Sequence, residues 1–339
     1  MIKKASFFIL KSVVAIGLFV GLQQLIELKT RGFCLQKIQA NDLLFQERWE
    51  IPPLSSEQQR EVDRLLSQPY TFIGAGSECF AFASADGKAV IKFFKLDHAR
   101  PVYFLRGIFF EDHSALTGSL SDHPLTRAAL PSPLDTWLKR FLGIREFRIQ
   151  RTFSSIHLAF NELKDETGLI YLHLNPTGHL SKTLTIYDAC GIRHDIDLDT
   201  MRFFLQKRAV PLERHLTWLK SRRSDDMAKA SIDSLLSLIS ERCHKGYADR
   251  DIRNRNFGFI GIKAIEIDSG SFLKNPRMKE PWIYKQEIFY ATLELKSWLK
   301  ENYPEMVSYL EQKVTEEIYI GSTSKPPFEL GKSPGVQRS

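Results

Sequence analysis

Asp251, Asn256 and Asp268 are the residues whose types and spacing could do chemistry. They fall in Tyr247-Ala-Asp-Arg-Asp-Ile-Arg-Asn-Arg-Asn-Phe-Gly258 and in Ile265-Glu-Ile-Asp-Ser-Gly270, around short apolar runs. Phosphoryl transfer calls for such a set. One carboxylate orients an attacking hydroxyl, and oxygen ligands from an amide and an acid hold Mg²⁺ against the phosphates. The spacing suits a loop carrying Asp251, then a turn and a β-strand that brings Asp268 back toward Asn256. Asp and Asn also populate loops for ordinary turn reasons, so the segment gains meaning only with the rest of the chain.

Upstream lie Phe72-Ile-Gly-Ala-Gly-Ser-Glu-Cys-Phe-Ala-Phe82 and Gly87-Lys-Ala-Val-Ile-Lys-Phe-Phe94. Gly74 and Gly76 would let a strand-to-strand turn approach phosphates with bare backbone. Lys92 falls inside an apolar strand, where an uncompensated ammonium is costly. It therefore calls for an anionic partner, a carboxylate or a nucleotide phosphate.

In this order, the motifs resemble those of the protein-kinase-like superfamily. Its glycine-rich loop is matched by Gly74 and Gly76, with Cys79 where a third glycine is usual. Its Val-Ala-Ile-Lys strand is matched by Ala89-Val-Ile-Lys92, its His-Arg-Asp loop by Asp249-Arg-Asp251 with Asn256, and its Asp-Phe-Gly motif by Asp268-Ser-Gly270. The resemblance implies ATP and Mg²⁺ as cofactors. It implies Asp251 as the catalytic base, Lys92 on the α- and β-phosphates, and Asn256 with Asp268 on the metal. Arg253 falls where many kinases carry a lysine that reaches the transferred phosphate. The stretch Met201–Leu212 would supply the strand and hinge, its backbone from Leu205 to Lys207 binding adenine and Phe204 close to the gatekeeper position. Kinases also pair the strand lysine with a glutamate on the next helix. Residues 145–166 are the candidate helix, with Phe153, Ile156, Phe160 and Leu163 as its stripe. Glu162 is favoured as the partner by its spacing to the next strand, and Glu146 is the alternative.

The departures bear on the acceptor. Asp249, Cys79 and Ser269 replace usual motif residues, no Ala-Pro-Glu motif follows Asp268, and little chain remains after it. The remainder has little room for the activation segment and large helical lobe that a protein kinase uses to bind a peptide. The resemblance is therefore to small-molecule and lipopolysaccharide kinases more than to eukaryotic-type protein kinases, and a glycolipid, sugar or other small hydroxyl acceptor is expected. Two other readings stay open: a catalytically impaired kinase-like binding module, and an unrelated α+β protein whose Asp and Asn residues serve turns.

The elements that must position these residues follow from periodicity. Ile232, Leu235, Leu236, Leu238 and Ile239 have helical spacing and lead into the Asp251 loop. Strands are expected between Thr167 and Leu198, with turns at 175–178 and 188–191, and two final helices over 284–299 and 304–315. The fold that the resemblance implies is α+β, a bilobal protein-kinase-like fold behind an N-terminal membrane-anchor helix. Residues 1–30 are an anchor and 31–57 a linker. Residues 58–196 form the N-lobe with an insertion at 97–143, residues 197–320 the hinge and compact C-lobe, and 321–339 a disordered tail.

Ala5 to Leu28 is largely apolar, near the roughly 20 residues that span a bilayer, and no small-x-small cleavage site follows Gly21. A retained membrane anchor is expected. Basic residues flank it on both sides, so the expected cytoplasmic body follows from the need for ATP. The insertion joins Phe109, Phe110, Trp137 and Phe141 to Lys139 and Arg140, which suits a membrane interface or packing on the N-lobe. Four scattered cysteines form no Cys-x-x-Cys pair, which disfavours a zinc site or a disulfide framework. The formal net charge of +7 is spread along the chain, and no nucleic-acid motif accompanies it.

Overall fold

The computed structural model describes residues 24–39, 45–96 and 148–319, with isolated helical positions between 14 and 21. The fold is α+β. The chain divides into two compact units, Met1–Arg208 with Ser269–Ser271, and Ala209–Asp268 with Phe272–Ser339. Among the described residues no helix is long and apolar enough to cross a membrane. Most of the expected anchor, the 97–143 insertion, Glu146 and the tail lie outside the described residues.

The first unit is built on a seven-stranded sheet. Its strands are β1 (Tyr70–Ala75), β2 (Cys79–Ser84), β3 (Ala89–Phe94), β4 (Leu169–His173), β5 (Thr183–Tyr187), β6 (Arg193–Asp197) and β7 (Phe203–Lys207). They lie in the order β4-β7-β3-β2-β1-β5-β6. Helix α1 (Ser56–Leu66) precedes the sheet, started by a capping box of Ser55 and Gln58. It buries Val62, Leu65 and Leu66, which join Phe80, Phe82, Ile91, Phe93, Phe203 and Leu205 in one core. Alternation sets the register: Phe82 lies opposite Ile91, and Lys92 opposite both Ala81 and Phe204. A second helix, α2 (residues 148–162), lays Ile149, Phe153, Ile156 and Phe160 inward, with Phe153 edge-on to Phe94 at 4.9 Å.

Two expected boundaries are corrected. Residues 31–57 are not a linker, because Phe33, Ile38 and Trp49 are buried and Gln39 bridges to Met201. The Leu96 N–H also donates to the Lys37 carbonyl at 2.7 Å. The first unit runs to Arg208 rather than 196, since β7 pairs with both β3 and β4 and cannot leave the sheet.

His173, at the end of β4, is a buried imidazole. Its Nδ1 donates to the Met201 carbonyl at 2.8 Å, and its Nε2 lies 2.9 Å from Thr177 Oγ1. Burial holds it down at about 4, against an ordinary 6.5. The unfolded chain therefore takes up the proton first. The contribution to stability is complete above about pH 6.5 and is lost as the pH falls toward 4. Between pH 7 and 5 the wild type should lose about 2 kcal/mol through this group. His173→Gln should flatten the dependence in urea melts, and equal slopes for the two proteins would place the titration elsewhere.

The second unit comprises α3 (Leu212–Ser221), α4 (Asp225–Lys245), α5 (Pro281–Asn302) and α6 (Val307–Tyr319) with short strands. A sheet of β8 (Val210–Pro211), β10 (Phe257–Ile260) and β11 (Lys263–Glu266) runs in the order β11-β10-β8. Strands β9 (Tyr247–Asp249) and β12 (Phe272–Lys274) form a separate pair. The α4 stripe Ile232, Leu235, Leu236 and Ile239 packs on Ile288, Leu295 and Leu299 of α5 and on Phe257 and Phe259. The two final helices are present and longer than the sequence pattern marks. Gly246 ends α4 in the left-handed region at φ +87, where L side chains are strained. Gly258 is needed for space: a Cβ there would come within 3.0 Å of Ala209 Cβ and of the Val210 carbonyl.

Candidate functional site

In the second unit the chain leaves β9 at Asp249, forms a loop, and makes a 3₁₀ turn over Asn254–Asn256 before β10. The loop is held by polar contacts. Asp251 N–H donates to Asp249 Oδ1 at 3.0 Å, and Asn256 Nδ2 donates to the Asp251 carbonyl. The Asn254 N–H donates to Glu294 Oε2 on α5 at 2.7 Å, and its Nδ2 to Glu213 Oε1 on α3 at 3.2 Å. Two helices thus grip the buried Asn254, while the side chain of Asp251 remains 45% exposed. Two guanidinium groups face that carboxylate: Arg253 Nε lies 3.6 Å from Oδ1 and Arg255 Nη2 lies 3.5 Å from Oδ2.

Strands β10 and β11 form a hairpin with Phe257 opposite Glu266. One step further the Ile267 N–H donates to the Asn256 carbonyl at 2.7 Å. The strand therefore returns Asp268 beside the Asn256 turn, and Asp268 is exposed there. Because Asn256 commits its amide nitrogen to Asp251, its amide oxygen is the atom that remains as a ligand. Among the described residues no group of three or more His, Cys, Asp or Glu side chains could hold a metal ion. Asn256 and Asp268 offer two hard oxygen donors. This suits an ion that takes its other ligands from phosphate and water, as Mg²⁺ does.

Beneath the loop lies a cluster that the motif reading missed. Arg242, near the end of α4, is fully buried, with Nη1 2.8 Å from Glu266 Oε1 and Nη2 2.8 Å from Glu287 Oε1. Its Nη1 is also 3.7 Å from Asp249 Oδ2, and its guanidinium lies over Phe272 at 5.9 Å. Burial would strip its proton, but the three carboxylates more than offset that and push its pKa upward. Burial raises Glu287 despite Arg242 and a hydrogen bond from the Asp249 backbone. A signal for this cluster was present: Arg242 continues the α4 stripe three residues beyond Ile239, so helical periodicity alone would bury it.

The first unit holds the remaining candidates. Gly74 and Gly76 occupy the end of β1 and the turn into β2, with a register irregularity between Phe72 and Gly74. Neither glycine is required by its φ. A Cβ would meet only ordinary contacts, Arg31 Nη1 at 3.5 Å from Gly74 and the Cys79 carbonyl at 3.9 Å from Gly76. Lys95, which the sequence reading did not single out, donates to the Gly76 carbonyl at 2.6 Å and holds the turn. Lys92 is half-buried in β3, its ammonium 5.4 Å from the centre of the Phe204 ring.

Glu162 does not meet the expectation placed on it. It is exposed at the C-terminal end of α2, off the stripe of Ile156, Phe160 and Leu163, and takes part in no ion pair among the described residues. Leu205 and Lys207 are also corrected in part. Leu205 is fully buried in a strand paired on both sides, and the Lys207 N–H is taken by the Gly168 carbonyl at 2.8 Å. A central strand has spent these backbone groups on its neighbours, so that N–H is not available to an adenine. Ser155 of α2 donates to the carbonyl of buried Ser269 at 2.7 Å, holding the Ser269–Ser271 tripeptide within the first unit.

No protein-family model matches the chain. No curated protein sequence matches it either. Among solved structures, the complex of Rv3197 with erythromycin from Mycobacterium tuberculosis is similar at a TM-score of 0.30 and 12% sequence identity. The match covers 90% of this chain and 81% of that one. A likeness at this level assigns neither a fold family nor a ligand.

Proposed function

We propose that this chain is a kinase-like phosphotransferase that uses Mg²⁺ and ATP to phosphorylate a hydroxyl of a glycolipid, sugar or other small acceptor. One observation carries the reading. Asn256 is hydrogen-bonded to the Asp251 backbone, and the hairpin brings Ile267, hence Asp268, back against Asn256. This gathers one exposed carboxylate flanked by arginines and two oxygen donors within a single unit. Asp251 would orient the acceptor hydroxyl and take its proton, and Arg253 would meet the phosphoryl group being transferred. Mg²⁺ held by Asn256 and Asp268 would supply charge neutralisation to the phosphates. Gly74 and Gly76 support the reading because the fold itself does not demand glycine at either position. Lys92 would contact the α- and β-phosphates. A body that uses ATP belongs on the cytoplasmic side of any membrane the N-terminus enters.

The test is a thermal shift. Wild type should be stabilised by Mg²⁺-ATP and less by ATP with a chelator, following RT ln(1 + [L]/Kd). Asp268→Ala should abolish the Mg²⁺-dependent part. Absence of any shift in the wild type would favour an unrelated α+β protein. A shift without turnover would favour the impaired binding module.

A further inference from the structure

We infer that Asp249 is a positioning residue for Asp251, doing through its carboxylate what loop geometry alone leaves undone. The inference rests on the reading of Asp251 as the residue that orients the acceptor. A chain of contacts leads to it. Glu287 on α5 accepts a hydrogen bond from the Asp249 backbone and holds Arg242 Nη2 at 2.8 Å. Asp249 Oδ2 lies 3.7 Å from the same guanidinium, and its Oδ1 accepts the Asp251 N–H at 3.0 Å. Arg242 also binds Glu266 at the end of β11, two residues before Asp268. One buried cation therefore ties the strand entering the Asp251 loop to the strand that leads to Asp268.

The geometry explains why a carboxylate stands at 249. One carboxylate oxygen accepts the Asp251 amide, and the other faces the Arg242 guanidinium at ion-pair distance. The Asp249 side chain is 1% exposed, so both contacts are made away from solvent. A hydrogen bond to an ionised acceptor is roughly twice as strong as a neutral one. Asp249 is thus part of the working loop and not a sign of its decay.

The experiment measures hydrogen exchange and Mg²⁺-ATP hydrolysis, with water as the acceptor. In wild type the Asp251 amide should exchange at least tenfold more slowly than those of Ile252 and Arg253, which have no acceptor among the described residues. Asp249→Ala should bring the Asp251 amide to its neighbours' rate and lower kcat at least tenfold, with KM for ATP within twofold of wild type. Asp249→Asn keeps a neutral acceptor and should recover part of both. Equal exchange at 251, 252 and 253 in wild type would overturn the assignment without any variant. So would an Asp249→Asn protein as impaired as Asp249→Ala. If wild type neither binds nor hydrolyses Mg²⁺-ATP, the kinase reading fails, and the exchange comparison still decides whether Asp249 holds the loop.

Discussion

Asp251→Ala should leave Mg²⁺-ATP bound and reduce phosphoryl transfer by about 10²–10⁴, the range a positioned general base contributes. Binding should be retained because the side chains of Asn256 and Asp268, the proposed metal donors, are untouched by the substitution. It should even tighten slightly, since Arg253 and Arg255 lose the carboxylate that now faces them at 3.6 and 3.5 Å. Asn256 still has its partner, because it bonds to the Asp251 backbone carbonyl and not to the side chain. The loss should therefore appear in kcat alone, measured as ATP turnover beside a thermal shift with Mg²⁺-ATP. Turnover within threefold of wild type would remove Asp251 from the chemistry.

Arg242→Met should destabilise the second unit by about 3–5 kcal/mol, the usual cost of breaking a buried ion pair from one side. Methionine approximates the stem of the side chain but leaves Glu266 and Asp249 buried without the cation. The penalty should shrink as the pH falls, because Glu287 can then take up a proton. Burial already raises the Glu287 carboxyl above its ordinary value. Arg242→Lys should be intermediate, since a single ammonium cannot reach Glu266 and Glu287 with separate nitrogens as the guanidinium does. Urea unfolding of the three proteins at pH 7 and 5 measures this. A loss below 1 kcal/mol for Arg242→Met would mean the cluster contributes little to holding the loop.

Much of the site was legible in the order of residues. The turn and strand expected to return Asp268 toward Asn256 are the β10–β11 hairpin, which pairs Phe257 with Glu266 and Ile260 with Lys263. The α4 stripe leading into the loop was legible as well, since a period of 3.6 needs no knowledge of what covers it. Glu162 was not legible. Spacing to the next strand favoured it, but at a helix end a shift of one residue turns a side chain by about 100°, from core to solvent. The 31–57 segment failed similarly: its few apolar residues show no period, yet Phe33 and Ile38 each fill a place in the first unit's core.

The sequence by itself determined which residue types could do the chemistry, their order along the chain, and the α+β class. These depend on local propensity, periodicity and spacing. Only the tertiary structure decided where Asp249 and Arg242 sit and what they contact. In sequence Asp249 is a carboxylate missing from a pattern, and Arg242 one basic residue near a helix end. In space they are a buried pair joining α4, β9, β11 and α5. The physical reason is that a charge takes its meaning from the groups and dielectric around it. In water Asp249 would be one more solvated acid, but beside a guanidinium with no solvent access it becomes a fixed acceptor for the Asp251 amide.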